Sequence, residues 1–312
     1  MDRRQFLLAA AAAAAVGPGV APAQARAQRA GHLVIIGGSE DRRGDRFVLR
    51  RFIELCAAPA PRIALITAAS MFPDLQWQRY SQTFTELGAR ECVHVAVQSR
   101  DEADDAELAD QVLGADGVFM SGGSQGRLLS VVGGSAVARA IETAYRERGA
   151  CVGGTSAGAA AMSLHMLAGG RAVEVPDKDA IQMGEGLGLL PQAIVDQHFS
   201  ERRRLGRLLS AVAQRPDLLG VGIDEDTALV IERGGRLQVV GAGTVTLIDG
   251  RPSQPDRVQA DAAGAAEQGG VQLHVLPSGA MFELERSAGG PDARRGGSAS
   301  MRDALSRLAS DA

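Results

Sequence analysis

Short apolar runs alternate with amphipathic stretches along the chain from Gly31 onward. The apolar runs predict strands over residues 32–36, 62–67, 91–97, 117–120, 150–153, 193–195, 219–223 and 228–231. Between them, apolar residues recur at helical spacing over residues 45–56, 75–88, 105–113, 136–149 and 201–213. This alternation predicts a single α/β domain over residues 31–286, with a mostly parallel sheet and helices on both of its faces.

The pattern weakens after Asp249, where the chain becomes polar and irregular. Two further apolar runs follow at residues 271–276 and 280–284. Residues 287–312 begin with a stretch rich in glycine, serine and arginine, which predicts a flexible linker, and end with a short helix over residues 301–309.

The first segment, residues 1–25, predicts an export signal. Arg3 and Arg4 stand before a run of alanines, and Ala23 and Ala25 form a small-x-small cleavage site. A membrane anchor is disfavoured because the apolar run is shorter than the roughly 20 residues that a spanning helix needs. We therefore expect export through the twin-arginine route and a periplasmic or extracellular protein that leaves the membrane once the signal is removed.

Composition narrows the classes of partner and of bound group. The 33 basic and 37 acidic residues give a formal charge of −4, which offers no electrostatic footprint for nucleic acid. The three cysteines, Cys56, Cys92 and Cys151, form no C-x-x-C pair and have no histidine at ligand spacing. Neither a zinc site nor a disulfide framework is predicted.

Residues 154–158 read Gly-Thr-Ser-Ala-Gly and match G-x-S-x-G. In this pattern Ser156 lies on a sharp turn between a strand and a helix, which exposes its hydroxyl. The run of small residues over 157–167 predicts that helix, and the N–H of Ala157 is an oxyanion donor in such a turn. The alternative is a glycine-rich turn before a closely packed helix.

A serine nucleophile needs a nearby base, and the chain has five histidines. Structural positions are expected for His32 and His94 in strands and for His165 on the helix after the turn. His198 follows an apolar strand and precedes a helix, where a base belongs. His274 lies inside an alternating strand, where a solvated histidine is the simpler account.

The base in turn needs a carboxylate to orient it. Residues 224–226 read Asp-Glu-Asp at the end of a predicted strand, so one of them is expected to reach His198. An α/β-hydrolase would instead use His274 with Asp224 or Asp249. The choice between the two histidines is therefore a choice between two families.

Four separated motifs together resemble the cyanophycinase family of serine peptidases. They are GGTSAGA at residues 153–159, DQHF at 196–199, GIDE at 222–225 and GGSQ at 122–125. Their order agrees with the family across about residues 31–284. The resemblance implies a flavodoxin-like or class-I-amidotransferase-like fold.

The resemblance also implies roles for individual residues. Ser156 would be the nucleophile, His198 the base and Glu225 the orienting acid, with the N–H groups of Gly123 and Ala157 as the oxyanion site. No metal and no organic cofactor are implied.

Cyanophycin, the substrate of the family, has an aspartate backbone whose β-carboxyls carry arginines, and the family enzymes release β-aspartyl-arginine dipeptides from it. The residues that resemble the family's substrate-binding set are Gln125, Asp196, Gln197, Arg202, Arg204 and Arg207. Arginine suits this task because its planar fork grips carboxylates. The alternative is that these arginines form an ordinary solvated helix face.

Ser124 departs from the family, which commonly has aspartate in this glycine loop, so the substrate is less firmly implied than the chemistry. An aspartyl dipeptidase of the same fold and a catalytically inactive exported binding protein are the alternatives. The expected partner is cyanophycin or an aspartyl-arginine peptide, and a homodimer is an open question.

Overall fold

The computed structural model describes residues 31–56, 58–232, 235–252, 270–283 and 299–310. The predicted export signal and residues 287–298 of the predicted linker lie outside these ranges. No helix in the described ranges has the length and apolar character needed to cross a bilayer.

The strands are β1 His32–Ile36, β2 Arg62–Ile66, β3 Glu91–Val95, β4 Gly117–Met120, β5 Cys151–Thr155, β6 His165–Gly170, β7 Ile181–Glu185, β8 Ala193–Gln197, β9 Leu219–Ile223, β10 Thr227–Glu232, β11 Arg236–Gly241, β12 Thr244–Asp249, β13 Gln272–Pro277 and β14 Met281–Glu283. The α-helices are α1 Phe47–Leu55, α2 Pro73–Glu86, α3 Arg100–Ala103, α4 Ala106–Leu113, α5 Gln125–Val132, α6 Ala136–Arg146, α7 Ala157–Ala160, α8 Leu205–Gln214 and α9 Ala299–Ser310. A 3₁₀ turn covers Lys178–Ala180.

The main sheet has the strand order β14-β11-β10-β1-β5-β4-β2-β3. Strands β1, β5, β4, β2 and β3 pair in parallel, and β10, β11 and β14 extend the sheet in antiparallel fashion. The predicted α/β class and single domain are confirmed, and the sheet is mixed. A second sheet, in the order β13-β12-β9-β8, has one parallel pair, β8 with β9.

Helices cover both faces of the main sheet, as predicted, because β1 is apolar on both sides. Leu33 and Ile35 join the core beneath α4, α5 and α6, whereas Val34 and Ile36 join the core beneath α1 and α2. All four side chains are fully buried, as expected of a central strand in a parallel sheet. Helix α8 packs on the second sheet.

Strand register places the functional loops next to one another. Ile36 lies opposite Thr155 in the β1–β5 pair, so the residues after both strands emerge side by side. Gln197 lies opposite Ile223 in the β8–β9 pair, which does the same for the next two loops. Both pairs are parallel, and ligand sites in such sheets lie at the carboxyl ends of the strands.

The helix predicted over residues 157–167 is wrong beyond its first turn. α7 ends at Ala160, because a later segment takes the backbone groups that would continue it: the N–H groups of Leu187 and Leu190 donate to the carbonyls of Ala161 and Met162. The chain then enters the β6–β7 hairpin. His165 accordingly opens a strand and does not lie on a helix.

The segment predicted to hold a short terminal helix contains α9. Its residues Ala304, Leu305 and Leu308 are buried in the core that also contains β10 and β11 side chains. Within the described residues, α9 is therefore a docked part of the domain.

Candidate active site

Ser156 stands on a strained turn between β5 and α7. Its backbone has φ 52° and ψ −107°, in a region that non-glycine residues rarely adopt. The two glycines of the motif are required by close contacts. A Cβ on Gly154 would lie 2.6 Å from the backbone of Gly158, and one on Gly158 would lie 2.4 Å from the carbonyl oxygen of Met120. The sharp strand-turn-helix geometry of the sequence prediction is present.

His198 lies within hydrogen-bond distance of this serine. Its Nε2 is 2.8 Å from Ser156 Oγ, and the imidazole is 7% exposed. Burial lowers the pKa of His198 below its ordinary value of 6.5; the charges of Arg202 and Arg204 act in the same direction, and the hydrogen bond to Glu225 opposes them. The ring is therefore neutral near pH 7 and free to accept a proton at Nε2.

Glu225 reaches the other ring nitrogen. Its Oε1 is 2.6 Å from His198 Nδ1, which fixes the tautomer in which Nε2 is the acceptor. Asp224, the acid before it, instead accepts the backbone N–H groups of Ser200 and Thr244. Of the three acids predicted as candidates, Glu225 is the one in contact with the histidine.

Asp226 has a different place. Its Oδ1 accepts the N–H of Asp41 at 2.8 Å, and its φ of 46° turns the chain after Glu225. It thus links the loop that carries the acid to the loop after β1.

The α/β-hydrolase alternative has no support in this geometry. His274 lies on β13 in the second sheet, paired in register with Leu247. Asp249, the other carboxylate considered, is engaged by Arg251. The hydrogen-bonded order along the chain is serine, histidine, glutamate.

The two predicted oxyanion donors flank the nucleophile. Among the described residues, the N–H groups of Gly123 and Ala157 have no protein acceptor. Gly123 has φ 148°, and a Cβ there would lie 2.1 Å from the carbonyl oxygen of Ala69, so a residue without a side chain is needed. Gly122, its neighbour, borders Ser156 directly.

Asp196 is fully buried at the end of β8, where it binds two arginines. It accepts Nε and Nη2 of Arg207 at 2.9 and 2.5 Å, and Nη1 of Arg204 at 3.1 Å. Arg207 is itself 4% exposed, so it is not part of a solvated helix face. The prediction that Asp196 and Arg207 contact the substrate is not supported by this burial, because each group is already paired with the other.

The remaining members of the predicted substrate set lie closer to the surface. The side chain of Arg202 is exposed, and its backbone N–H donates to the carbonyl of His198. Arg204 is half-buried and also donates to the side chain of Gln197 at 3.0 Å. Gln125 is half-buried as well, and its Nε2 donates to the backbone of β6 at 2.9 Å. All three therefore remain candidates for ligand contact.

Sequence reasoning missed the role of Gly38. Its φ is 109°, and a Cβ there would lie 2.3 Å from His198 Cε1. The signal in the sequence was the glycine pair after the first strand, residues 37–38. Asp41, further along the same loop, accepts the backbone N–H groups of residues 43, 44 and 46. Among the described residues, no group of three His, Cys, Asp or Glu side chains is placed to hold a metal ion.

Known proteins are similar to this chain over most of its length. The model of peptidase family S51 matches residues 33–239. The cyanophycinases of Trichormus variabilis and of a Nostoc species are each 40% identical over 255 residues, which cover 81% of this chain and 85% of theirs. The cyanophycinase of Geminocystis herdmanii is 36% identical over 248 residues, covering 79% of this chain and 91% of its own.

A solved structure supports the fold. The crystal structure of a peptidase from an acI-B1 Actinobacterium superposes with a TM-score of 0.59 at 24% identity, covering 81% of this chain and 97% of that one. Since the family model spans well over half of the chain and the relatives match most of their length, the chain belongs to peptidase family S51 and is a serine-type peptidase.

Proposed function

We propose that the protein is an exported serine exopeptidase that hydrolyses cyanophycin to β-aspartyl-arginine dipeptides. The observation that carries the proposal is the hydrogen-bonded sequence Ser156–His198–Glu225 in a chain similar to cyanophycinases over most of its length. The substrate is inferred from the name of these relatives, and the type of reaction is inferred from the geometry of the site.

In the proposed reaction, His198 Nε2 takes the proton of Ser156 as Oγ attacks the carbonyl carbon of the scissile amide. The oxyanion that forms accepts the N–H groups of Gly123 and Ala157. Its collapse breaks the C–N bond, and the imidazolium gives its proton to the leaving amine. An ester on Oγ remains.

Water then completes the cycle. His198 removes a proton from the water, the hydroxide attacks the ester, and the proton returns to Ser156 Oγ as the product carboxylic acid leaves. Glu225 stabilises the imidazolium at each transfer.

Arginines are proposed to recognise the carboxylates of the polymer. Arg202 is exposed and Arg204 is partly exposed, and both are proposed to contact the ligand together with Gln125. Asp196 and Arg207 are proposed to hold Arg204 in place from below. The arginines thus divide into a contacting group and a supporting group.

The test is incubation of the purified protein with cyanophycin, with dipeptide release followed by chromatography. Ser156→Ala and His198→Ala are expected to lose release, and His274→Ala is expected to keep it. Hydrolysis of Asp-Xaa dipeptides without release from the polymer would favour an aspartyl dipeptidase. If the unaltered protein bound cyanophycin but released no dipeptide from it, the binding-protein alternative would be favoured.

Export is proposed from the twin-arginine segment alone. Replacing Arg3 and Arg4 together by lysine is expected to keep the protein in the cytoplasm of a bacterium that otherwise exports it, measured by cell fractionation. Unchanged export of the double variant would contradict the route.

A further inference from the structure

The loop that follows β1 touches the loops of all three triad residues. The carbonyl oxygens of residues 36, 37 and 38 accept, in that order, the backbone N–H groups of Ser156, His198 and Asp226 at 3.0, 2.8 and 2.9 Å. Asp226 directly follows Glu225. Three consecutive carbonyls, from the last residue of β1 and the first two residues of the loop, therefore hold the backbone of the nucleophile, of the base and of the residue after the acid.

The same loop sends one buried carboxylate under the nucleophile. Glu40 is 4% exposed; its Oε2 accepts the hydroxyl of Thr155 at 2.5 Å, and its Oε1 accepts the hydroxyl of Tyr80. Thr155 is the last residue of β5 and immediately precedes Ser156. Within the described part of the chain, Glu40 forms no ion pair with a basic group, so these hydroxyls are its direct partners.

The hydroxyl of Tyr80 stays protonated and so donates to the Glu40 carboxylate. Burial raises the pKa of Tyr80 well above its ordinary value, and the charge of Glu40 acts in the same direction. The phenol therefore keeps its proton. With one oxygen held by Tyr80 on α2, Glu40 is fixed and can in turn fix Thr155.

Burial of a carboxylate costs free energy, so the burial of Glu40 points to a role for it. That role is to restrain Ser156, because a backbone at φ 52° and ψ −107° persists only where the surrounding residues hold it. A shift of the nucleophile by 1 Å is enough to cost about a hundredfold in rate. The bond from Thr155 restrains the residue that leads into this turn.

We propose that Glu40 is a positioning residue of the active site: through Thr155 it holds the Ser156 hydroxyl at the imidazole. The inference rests on the proposed nucleophilic role of Ser156. A direct contact between Glu40 and substrate is a poorer account, because both oxygens are engaged and the side chain is buried.

The test compares variants that remove or keep the hydroxyl at position 155. Thr155→Val is nearly isosteric and removes the donor, Thr155→Ser keeps it, and Glu40→Gln weakens the acceptor. Each loss variant is expected to lower kcat about tenfold, as for one lost hydrogen bond in the reacting geometry, with KM within about twofold. The double variant is expected to lose no more than the worse single one, and Thr155→Ser to stay within about twofold of the unaltered protein.

Thr83→Val is the matched control, because Thr83 is a buried hydroxyl on α2 that donates to the carbonyl of Arg79 and takes no part in this network. It is expected to keep kcat. Melting temperatures of all variants are measured alongside. If Thr155→Val lowered the melting temperature but kept kcat per folded molecule, the network would be purely structural and the proposal would be overturned.

Ser156→Ala in the same assay distinguishes a failure of the proposed function from a failure of the positioning role of Glu40. If it stays fully active, the proposed function itself fails. If it is inactive while Thr155→Val is fully active, the positioning role alone fails. Should Glu40→Gln not fold, Thr155→Val carries the test by itself.

Discussion

Removing the carboxylate of Asp196 is expected to destabilise the whole domain. Asp196 has no exposed surface, and its two oxygens accept three N–H groups from Arg204 and Arg207. In Asp196→Ala the guanidinium of Arg207, 4% exposed, would be left in the interior without its counter-ion.

The size of the effect follows from that burial. Removing one partner of a buried ion pair costs about 3–5 kcal/mol of the free energy of unfolding, because the other charge stays desolvated. For a domain of this size, each kcal/mol lowers the melting temperature by about 2–4 °C, so a fall of about 6–20 °C is expected. Asp196→Asn keeps an acceptor and is expected to fall between Asp196→Ala and the unaltered protein.

Thermal unfolding followed by circular dichroism measures this shift. The matched control is Asp217→Ala, which breaks the ion pair between Arg215 and Asp217. This pair lies nearer the surface, since the two side chains are 37% and 59% exposed, respectively. Pairs of that kind contribute at most about 1 kcal/mol. If Asp196→Ala melted within about 2 °C of the unaltered protein while KM rose sharply, Asp196 would serve the substrate and the structural account would be refuted.

Three further predictions address the base, its surroundings and the last helix. The acidic limb of the kcat/KM profile is expected to lie below pH 6.5, since burial lowers the pKa of His198. Arg202→Gln removes a positive charge that also lowers this pKa, so the limb should move to higher pH, and an unmoved limb would contradict this. Gly38→Ala is expected to lower kcat at least about a hundredfold by displacing the imidazole, whereas Gly88→Ala, at a similar positive φ with no neighbour within 4 Å, should leave kcat unchanged. Leu305→Ala should lower the free energy of unfolding by about 2–5 kcal/mol in a denaturant titration, and a loss below about 0.5 kcal/mol would show that α9 does not dock.

Sequence patterns predicted the parallel half of the fold well. Each of the eight predicted strands overlaps a strand of the structure, and each of the seven predicted helices overlaps a helix, although the one after Ser156 is shorter than predicted. Several of the predicted strands, such as β1, β4 and β5, are buried along almost their whole length, so their apolar pattern is strong. The antiparallel strands β6, β7, β11 and β12 were not predicted. Much of β6, β7 and β11 is only partly buried, so their apolar pattern is weak, whereas β12 is buried after Thr244 and was missed despite that.

The positions of Ser156 and His198 were predictable from the sequence, Glu225 was singled out among three acids only by the family resemblance, and the supports of these residues were not predicted. Ser156, His198 and the acidic run 224–226 lie where predicted strands end, which the sequence shows. The burial of Arg207 depends on a partner eleven residues away, and the contact of Glu40 with Thr155 spans 115 residues. Such pairings arise from tertiary packing and leave no local pattern. For the same reason the helix after Ser156 was overestimated, since a distant segment ends it.

Labelling with a fluorophosphonate, which reacts with activated serine hydroxyls whatever the natural substrate, tests the central claim most directly. Peptide mapping by mass spectrometry is expected to place the adduct on Ser156, with labelling at least about a hundredfold slower in His198→Ala and unchanged in His274→Ala. Equal labelling rates in the His198→Ala and unaltered proteins, or an adduct on another serine, would contradict the account.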